Sequence, residues 1–128
     1  KNAPRRSDLK IYEAVFHFSF YMYLSDFIRR FDGMVYPEFP TGNGKIDLII
    51  KYKGKTYGVE LKTYTDTPGY KKALKKAAKY GKQLGLKEIS LIFFVESIDD
   101  ESRKIYEIDF DDKATGVRVE VIFVEMGE

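Results

Sequence analysis

The sequence predicts an α/β domain, a mixed central sheet with helices on its faces, in the order α-β-β-β-α-β-β-β. Three observations predict it. Lys45–Tyr52 and Lys55–Thr63 alternate in polarity on either side of Lys53-Gly54, the pattern of a hairpin. Residues 88–96 form an apolar run suited to a strand buried on both faces. Residues 7–31 and 67–84 repeat apolar side chains at helical spacing. With 128 residues and 44% hydrophobic content, the chain can bury one core. It reads as one domain over 1–128, with 1–7 as a flexible lead-in.

Composition removes several function classes. There is no cysteine, hence no disulfide framework and no zinc-thiolate site, which suits a reducing cytoplasm. No stretch approaches the roughly 18 apolar residues of a membrane span, and Lys1-Asn-Ala-Pro-Arg-Arg is not a signal peptide. The chain starts with Lys rather than Met, as expected for a fragment of a longer protein. A net charge of +2 is too small to argue for nucleic acid, so the distribution of charge matters more than its total.

The first helix is capped by Ser7 or Asp8. Its apolar stripe is Leu9, Phe16, Phe20, Tyr23, Leu24, Phe27 and Phe31. Glu13 falls inside that stripe, where a carboxylate is costly unless paired, hydrogen-bonded or bound to metal. The other reading of Glu13 is an edge position that reaches solvent or a lysine. His17, on the flank, reads as a partly buried structural histidine. Phe18, Tyr21 and Met22 widen the apolar arc, the expected mark of a homodimer face.

Met34–Pro40 reads as a short strand, and Pro37 argues for an edge or a bulge. Glu38 reads as an exposed strand residue, the alternative being an acid of the first or second metal shell. Thr41-Gly-Asn-Gly44 is a flexible loop without the Gly-Lys-Ser/Thr ending of a phosphate-binding loop. The second helix opens at Thr67 as cap with Pro68 next, and Gly85 closes it. Its apolar side is Tyr70, Leu74, Ala77, Tyr80 or Gly81, and Leu84. Its other sides carry Lys71, Lys72, Lys75, Lys76, Lys79 and Lys82. That basic stripe either contacts phosphates in a salt-dependent manner or is a solvated face. Residues 97–103 read as an acidic loop, and 103–110 and 116–126 as the last strands, with Val117, Val119, Val121 and Phe123 on one face.

The hairpin carries the chemistry. A two-residue turn at Lys53-Gly54 places Asp47 opposite Glu60, with Lys62 two residues further along on the same face. Like charges directly opposite destabilise a sheet, so a cation between them is expected. Mg²⁺ takes one or two carboxylates and completes its shell with waters and phosphate. Lys62 would orient a water or offset negative charge on a phosphate. The alternative is a solvated face carrying Asp, Glu and Lys without function.

Asp47 followed by Glu60-Leu-Lys62 on the next strand resembles the PD-(D/E)XK nuclease superfamily. Gly42-Asn-Gly-Lys-Ile-Asp-Leu-Ile and Gly58-Val-Glu-Leu-Lys are most similar to the nuclease-like domain at the C-terminus of prokaryotic AAA-ATPase-like proteins. The resemblance runs from about Tyr12 to the end of the chain. Ile46 stands where the superfamily name expects Pro. The Gln of a Gln-x₃-Tyr element would map to Lys76, with Tyr80 in place. The resemblance implies a restriction-endonuclease-like α/β/α sandwich. It also implies Mg²⁺ or Mn²⁺ held by Asp47, Glu60, the Leu61 carbonyl and an acid from the first helix, for which Glu13 is the candidate.

The expected function is therefore metal-dependent hydrolysis of DNA phosphodiesters. Asp47, Glu60, Lys62 and Glu13 form the site. Lys45, Lys51, Lys53, Lys72, Lys75, Lys76, Lys79 and Tyr80 would contact DNA, and an ATPase domain or subunit is the expected partner. One rival is a catalytically inactive DNA-binding or regulatory module attached to such an ATPase. The other is a protein-interaction domain that uses its aromatic surface.

Overall fold

The computed structural model describes residues 6–41 and 44–126, without the side chains of residues 6–13, 16, 39 and 40. Lys53 and Gly54 both take left-handed backbone angles, φ 51° and 76°. A type I′ turn needs two such angles. It closes a hairpin between β2 (Lys45–Tyr52) and β3 (Lys55–Thr63), whose ladder runs from Tyr52↔Lys55 to Leu48↔Val59 at the predicted register. β1 (Met34–Pro40) pairs antiparallel with β2. It is an edge strand, as Pro37 required.

β3 continues parallel to β4 (Glu88–Val95), and β4 parallel to β6 (Val117–Glu125). The short β5 (Phe110–Asp112) closes the far edge antiparallel to β6. The result is a mixed six-stranded sheet in the order β1-β2-β3-β4-β6-β5. β4 lies in its middle and is buried on both faces, which explains its unbroken apolar run.

Helices cover both faces. α2 (Thr67–Gln83) lies on one, burying Tyr70, Ala73, Leu74, Ala77, Ala78, Tyr80 and Gly81 against Ile89, Leu91, Phe93 and the valines of β6. Phe93 is the centre of this layer. Its ring lies 5.1 Å from Phe123 and 5.3 Å from Tyr70, and it is 1% exposed. Phe93→Ala is expected to cost about 3–5 kcal/mol, the usual loss for a buried aromatic. The midpoint of urea unfolding would check it, and a loss below about 1 kcal/mol would contradict the packing described.

α1 (Arg6–Arg29) lies on the opposite face, with Phe20, Tyr21 and Leu24 against Leu48, Val59, Leu61, Ile92 and Phe94. The core-facing stripe of α1 is rotated from the predicted one. Tyr21 turns inward, while Tyr23, Phe27 and Phe31 are exposed and form a ladder of ring contacts ending on Tyr52. With so many apolar positions around this helix, hydrophobic periodicity identified Phe20 and Leu24 of the buried face but not Tyr21. Leu9, Glu13 and Phe16 have side chains outside the described residues.

Three further expectations are corrected. The helix α2 is capped by Asp66, not Thr67: the Gly69 N–H donates to Asp66 Oδ1 at 2.7 Å. Aspartate is the stronger acceptor at that position. Its other end is as expected, with Gly85 at φ 71° and paired bonds from Gly85 N–H to Lys82 O and from Leu86 N–H to Gly81 O.

Residues 100–106, predicted as loop and strand, form a helix, α3 (Asp100–Tyr106). The element order is therefore α-β-β-β-α-β-α-β-β. Asp99 caps this helix through the Ser102 N–H at 2.7 Å, and Arg103 ties it to the sheet through Glu107, Glu125 and the Phe123 carbonyl. The third correction concerns β2. Ile46 belongs to the α2-side cluster and Leu48 to the α1-side cluster, although strict alternation puts them on one face. The switch falls at Asp47.

Candidate functional site

Both ladders of β2 are interrupted at Asp47. Its pairing with β1 runs from Met34↔Lys51 to Pro37↔Leu48, skips one row, and resumes at Phe39↔Ile46. The skipped row contains Glu38, which sits at φ 49°. A left-handed conformation is uncommon for such a residue and stores strain. On the other side the β2–β3 ladder ends at Leu48↔Val59, one row before Asp47 and Glu60.

Side chains replace the missing backbone bonds. The Asp47 N–H donates to Glu60 Oε1 at 3.0 Å, and the Leu61 N–H donates to Asp47 Oδ2 at 2.8 Å. The two carboxylates are thus interlocked across the opened end of the hairpin, each holding a main-chain donor on the opposite strand. This satisfies backbone groups that the splayed strands would leave unpaired. It also forces two acids together.

Glu60 is only 8% exposed. Burial, and then the charge of Asp47, push its carboxyl up from 4.5 to about 8; the bond from the Asp47 N–H and the Lys76 charge oppose this only in part. Glu60 and Asp47 also look outward differently. Lys76 of α2 acts on Glu60, whereas Asp47 lines a cavity on the α1 side. The two acids expected on one face thus meet between the strands, Glu60 under the influence of Lys76 and Asp47 lining the cavity beside α1.

That cavity, of about 450 Å³, lies between α1 and the opened strands. His17, Phe18 and Tyr21 of α1 face Pro37 and Glu38 of β1, and Leu48 and Leu61 form its floor beside Asp47. His17, expected to be structural, stands with Nδ1 3.8 Å from Asp47 Oδ1, and its Nε2 is buried without a partner among the described residues. No local signal in the sequence could have brought it there, because thirty positions separate the two.

The donor set fits a hard divalent cation in part. The backbone N–H groups take up only Glu60 Oε1 and Asp47 Oδ2, so each carboxyl keeps one oxygen not tied to the main chain, and the Glu60 proton must leave before both can face a cation. Mg²⁺ and Mn²⁺ take oxygen donors, and Mg²⁺ is commonly held by only one or two carboxylates. Among the described residues no group of three His, Asp or Glu side chains is placed to hold a metal. The Asp47 and Glu60 carboxylates by themselves would thus supply the smaller part of the shell.

The remaining expected site residues are placed as follows. Lys62 is exposed on β3, two residues beyond Glu60 and in register with Phe93 of β4. The side chain of Glu13 lies outside the described residues. Leu61 is tied to Asp47 through its own N–H. Lys45 is exposed at the start of β2, with Nζ 3.8 Å from Glu38 Oε1. Lys72, Lys75, Lys76 and Lys79 are all exposed on α2, as are Lys71 and Lys82. Lys51 and Lys53 are exposed near the hairpin turn, each over a tyrosine ring.

Tyr80 departs from its expected place on the DNA-contacting surface. It is 8% exposed in the α2 core, with Lys76 Nζ 5.6 Å above its ring. A Cβ on Gly44 would approach the Tyr80 hydroxyl to 3.0 Å, so this tyrosine supports the loop that leads into Asp47.

No family model, curated protein or solved structure matches this chain.

Proposed function

We propose that this chain hydrolyses DNA phosphodiester bonds at the Asp47–Glu60 pair. The observation that carries the reading is the interlock itself: a buried glutamate and an aspartate held together at the one place where both ladders of β2 open. Two adjacent acids, one of them with its carboxyl pushed up to about 8, are costly in a sheet even where each accepts a backbone N–H. Such perturbed pairs concentrate at functional sites. The restriction-endonuclease-like arrangement implied by the Asp…Glu-X-Lys signature belongs to the same proposal.

Asp47 and Glu60 would hold Mg²⁺ or Mn²⁺ through the oxygens not tied to backbone N–H groups, with Glu13 and the Leu61 carbonyl as further donors. When bound, the ion would acidify a water and offset charge on the phosphate. Lys62, exposed beside the pair, would orient that water and stabilise negative charge developing on the phosphate. Glu60 must shed its proton to act, so affinity for the ion rises as the pH climbs towards 8. The lysines of α2 and Lys45 would hold the DNA backbone.

One observation favours the second reading, a DNA-binding or regulatory module without turnover, attached to an AAA-ATPase-like protein. Each carboxylate already has a main-chain partner, so the interlock also works as a structural clasp. Calorimetric titration of Mn²⁺ and Mg²⁺, followed by nicking of supercoiled and branched DNA with the same protein, separates the two. Metal binding with cleavage is expected. DNA binding with neither metal uptake nor cleavage would favour the module.

The basic face makes a further prediction. Replacing Lys72, Lys75 and Lys79 together by Ala should weaken DNA binding and reduce the slope of log affinity against log salt by about one for each phosphate no longer neutralised. Fluorescence anisotropy at three salt concentrations would read it. An unchanged slope would remove α2 from the DNA surface.

A further inference from the structure

The cavity beside Asp47 has walls that a phosphate does not need. On one side are the His17, Phe18 and Tyr21 rings of α1, within little more than one helical turn, and on the other is the apolar ring of Pro37. The polar groups at its border are the Glu38 and Asp47 carboxylates, which accept hydrogen bonds, and the His17 ring, whose Nε2 has no partner among the described residues. The cavity would therefore take the uncharged part of a nucleotide. At its rim Lys45 pairs with Glu38 at 3.8 Å and is 67% exposed, available to the adjoining phosphate. The opening is built into the strand: Glu38, at φ 49°, lies in the row that β1 and β2 skip opposite Asp47.

Resting on the nuclease reading above, we infer that this cavity receives one unstacked nucleobase next to the phosphodiester under attack. The substrate class is thereby DNA with an unpaired nucleotide, as in single strands, flaps or frayed ends. Aromatic walls bind bases through their faces whatever the sequence, and the Glu38 carboxylate accepts from ring N–H and exocyclic amino groups. A paired base inside a duplex must first leave its stack, which opposes entry.

The test is Mn²⁺-dependent cleavage, by the full 128-residue chain, of one oligonucleotide supplied as a single strand and as a duplex. It is run on the wild type, Phe18→Ala and Tyr21→Ala, with Mn²⁺ affinity measured alongside. Phe18 is 66% exposed, so its replacement leaves the core intact even if Tyr21→Ala, which also packs on the sheet, fails to fold. The expected result is faster cleavage of the single strand by about tenfold or more, within the range that stacking one base provides. Phe18→Ala should reduce that preference to within about threefold while Mn²⁺ affinity stays unchanged.

Metal-dependent cleavage with equal rates on both substrates would overturn the inference and leave the nuclease reading intact. So would a preference that survives both variants. No Mn²⁺ binding and no cleavage of either substrate would overturn the nuclease reading, and the inference with it.

Discussion

Asp47→Asn is expected to abolish divalent-ion binding and lower DNA cleavage by at least about a thousandfold, while Lys62→Ala keeps the ion and loses about a hundredfold in rate. The split follows from position. Asparagine still offers an oxygen to the Leu61 N–H, now bonded to Asp47 at 2.8 Å, so the opened hairpin keeps its interlock. What is lost is the negative charge proposed to hold a cation. Lys62 is exposed and outside the Asp47–Glu60 interlock, so its removal leaves both carboxylates in place. Calorimetry with Mn²⁺ and single-turnover cleavage would be compared across the two variants. Retained metal binding in Asp47→Asn would remove Asp47 from the ligand set. An unchanged rate in Lys62→Ala would remove the lysine from the chemistry.

The second large effect concerns stability, and its sign is opposite to the loss of function. The folded state raises the Glu60 carboxyl from 4.5 to about 8 through burial and the neighbouring Asp47 charge. Folding therefore takes up a proton between those values. The stability linked to that proton is fully present below about 4.5 and is lost as the pH rises through about 8.

Glu60→Gln stays neutral and keeps an acceptor for the Asp47 N–H. In EDTA it should match the wild type near pH 4.5 and exceed it increasingly towards pH 9, by an amount on the order of a few kcal/mol. Thermal melts across that range would show the two curves separating. With Mn²⁺ the order should reverse, because only the wild type gains stability from binding the ion. Parallel pH profiles in EDTA would mean that Glu60 is ionised in the folded protein throughout the range.

Much of the fold was legible because it rests on local chemistry. The turn at Lys53-Gly54, the edge strand marked by Pro37 and the double burial of β4 each follow from a few adjacent residues. α3 was not legible. Arg103 to Phe110 alternates well enough to read as a strand, but the Asp99 cap and the docking of Tyr106 on Tyr70 and Phe123 favour a helix. The buried face of α1 was legible only in part, because aromatic residues surround the helix: Phe20 and Leu24 were expected there, and contact with the sheet selects Tyr21 over Tyr23, Phe27 and Phe31.

At the site, sequence alone determined that Asp47 and Glu60 occupy the next row of one hairpin, with Lys62 beside them and a lysine-rich helix following. Turn geometry and strand alternation act over a dozen residues and need no distant partner. Tertiary structure decided how those acids are held. Glu38 opens one ladder, the strands part at Asp47, and each carboxylate takes a backbone donor from the other strand. It also brought His17 to Asp47 and buried Tyr80 beneath the loop that leads to it. Burial and long-range charge depend on the packing of the whole sheet between two helices, and these forces set Glu60 apart from the other acids among the described residues.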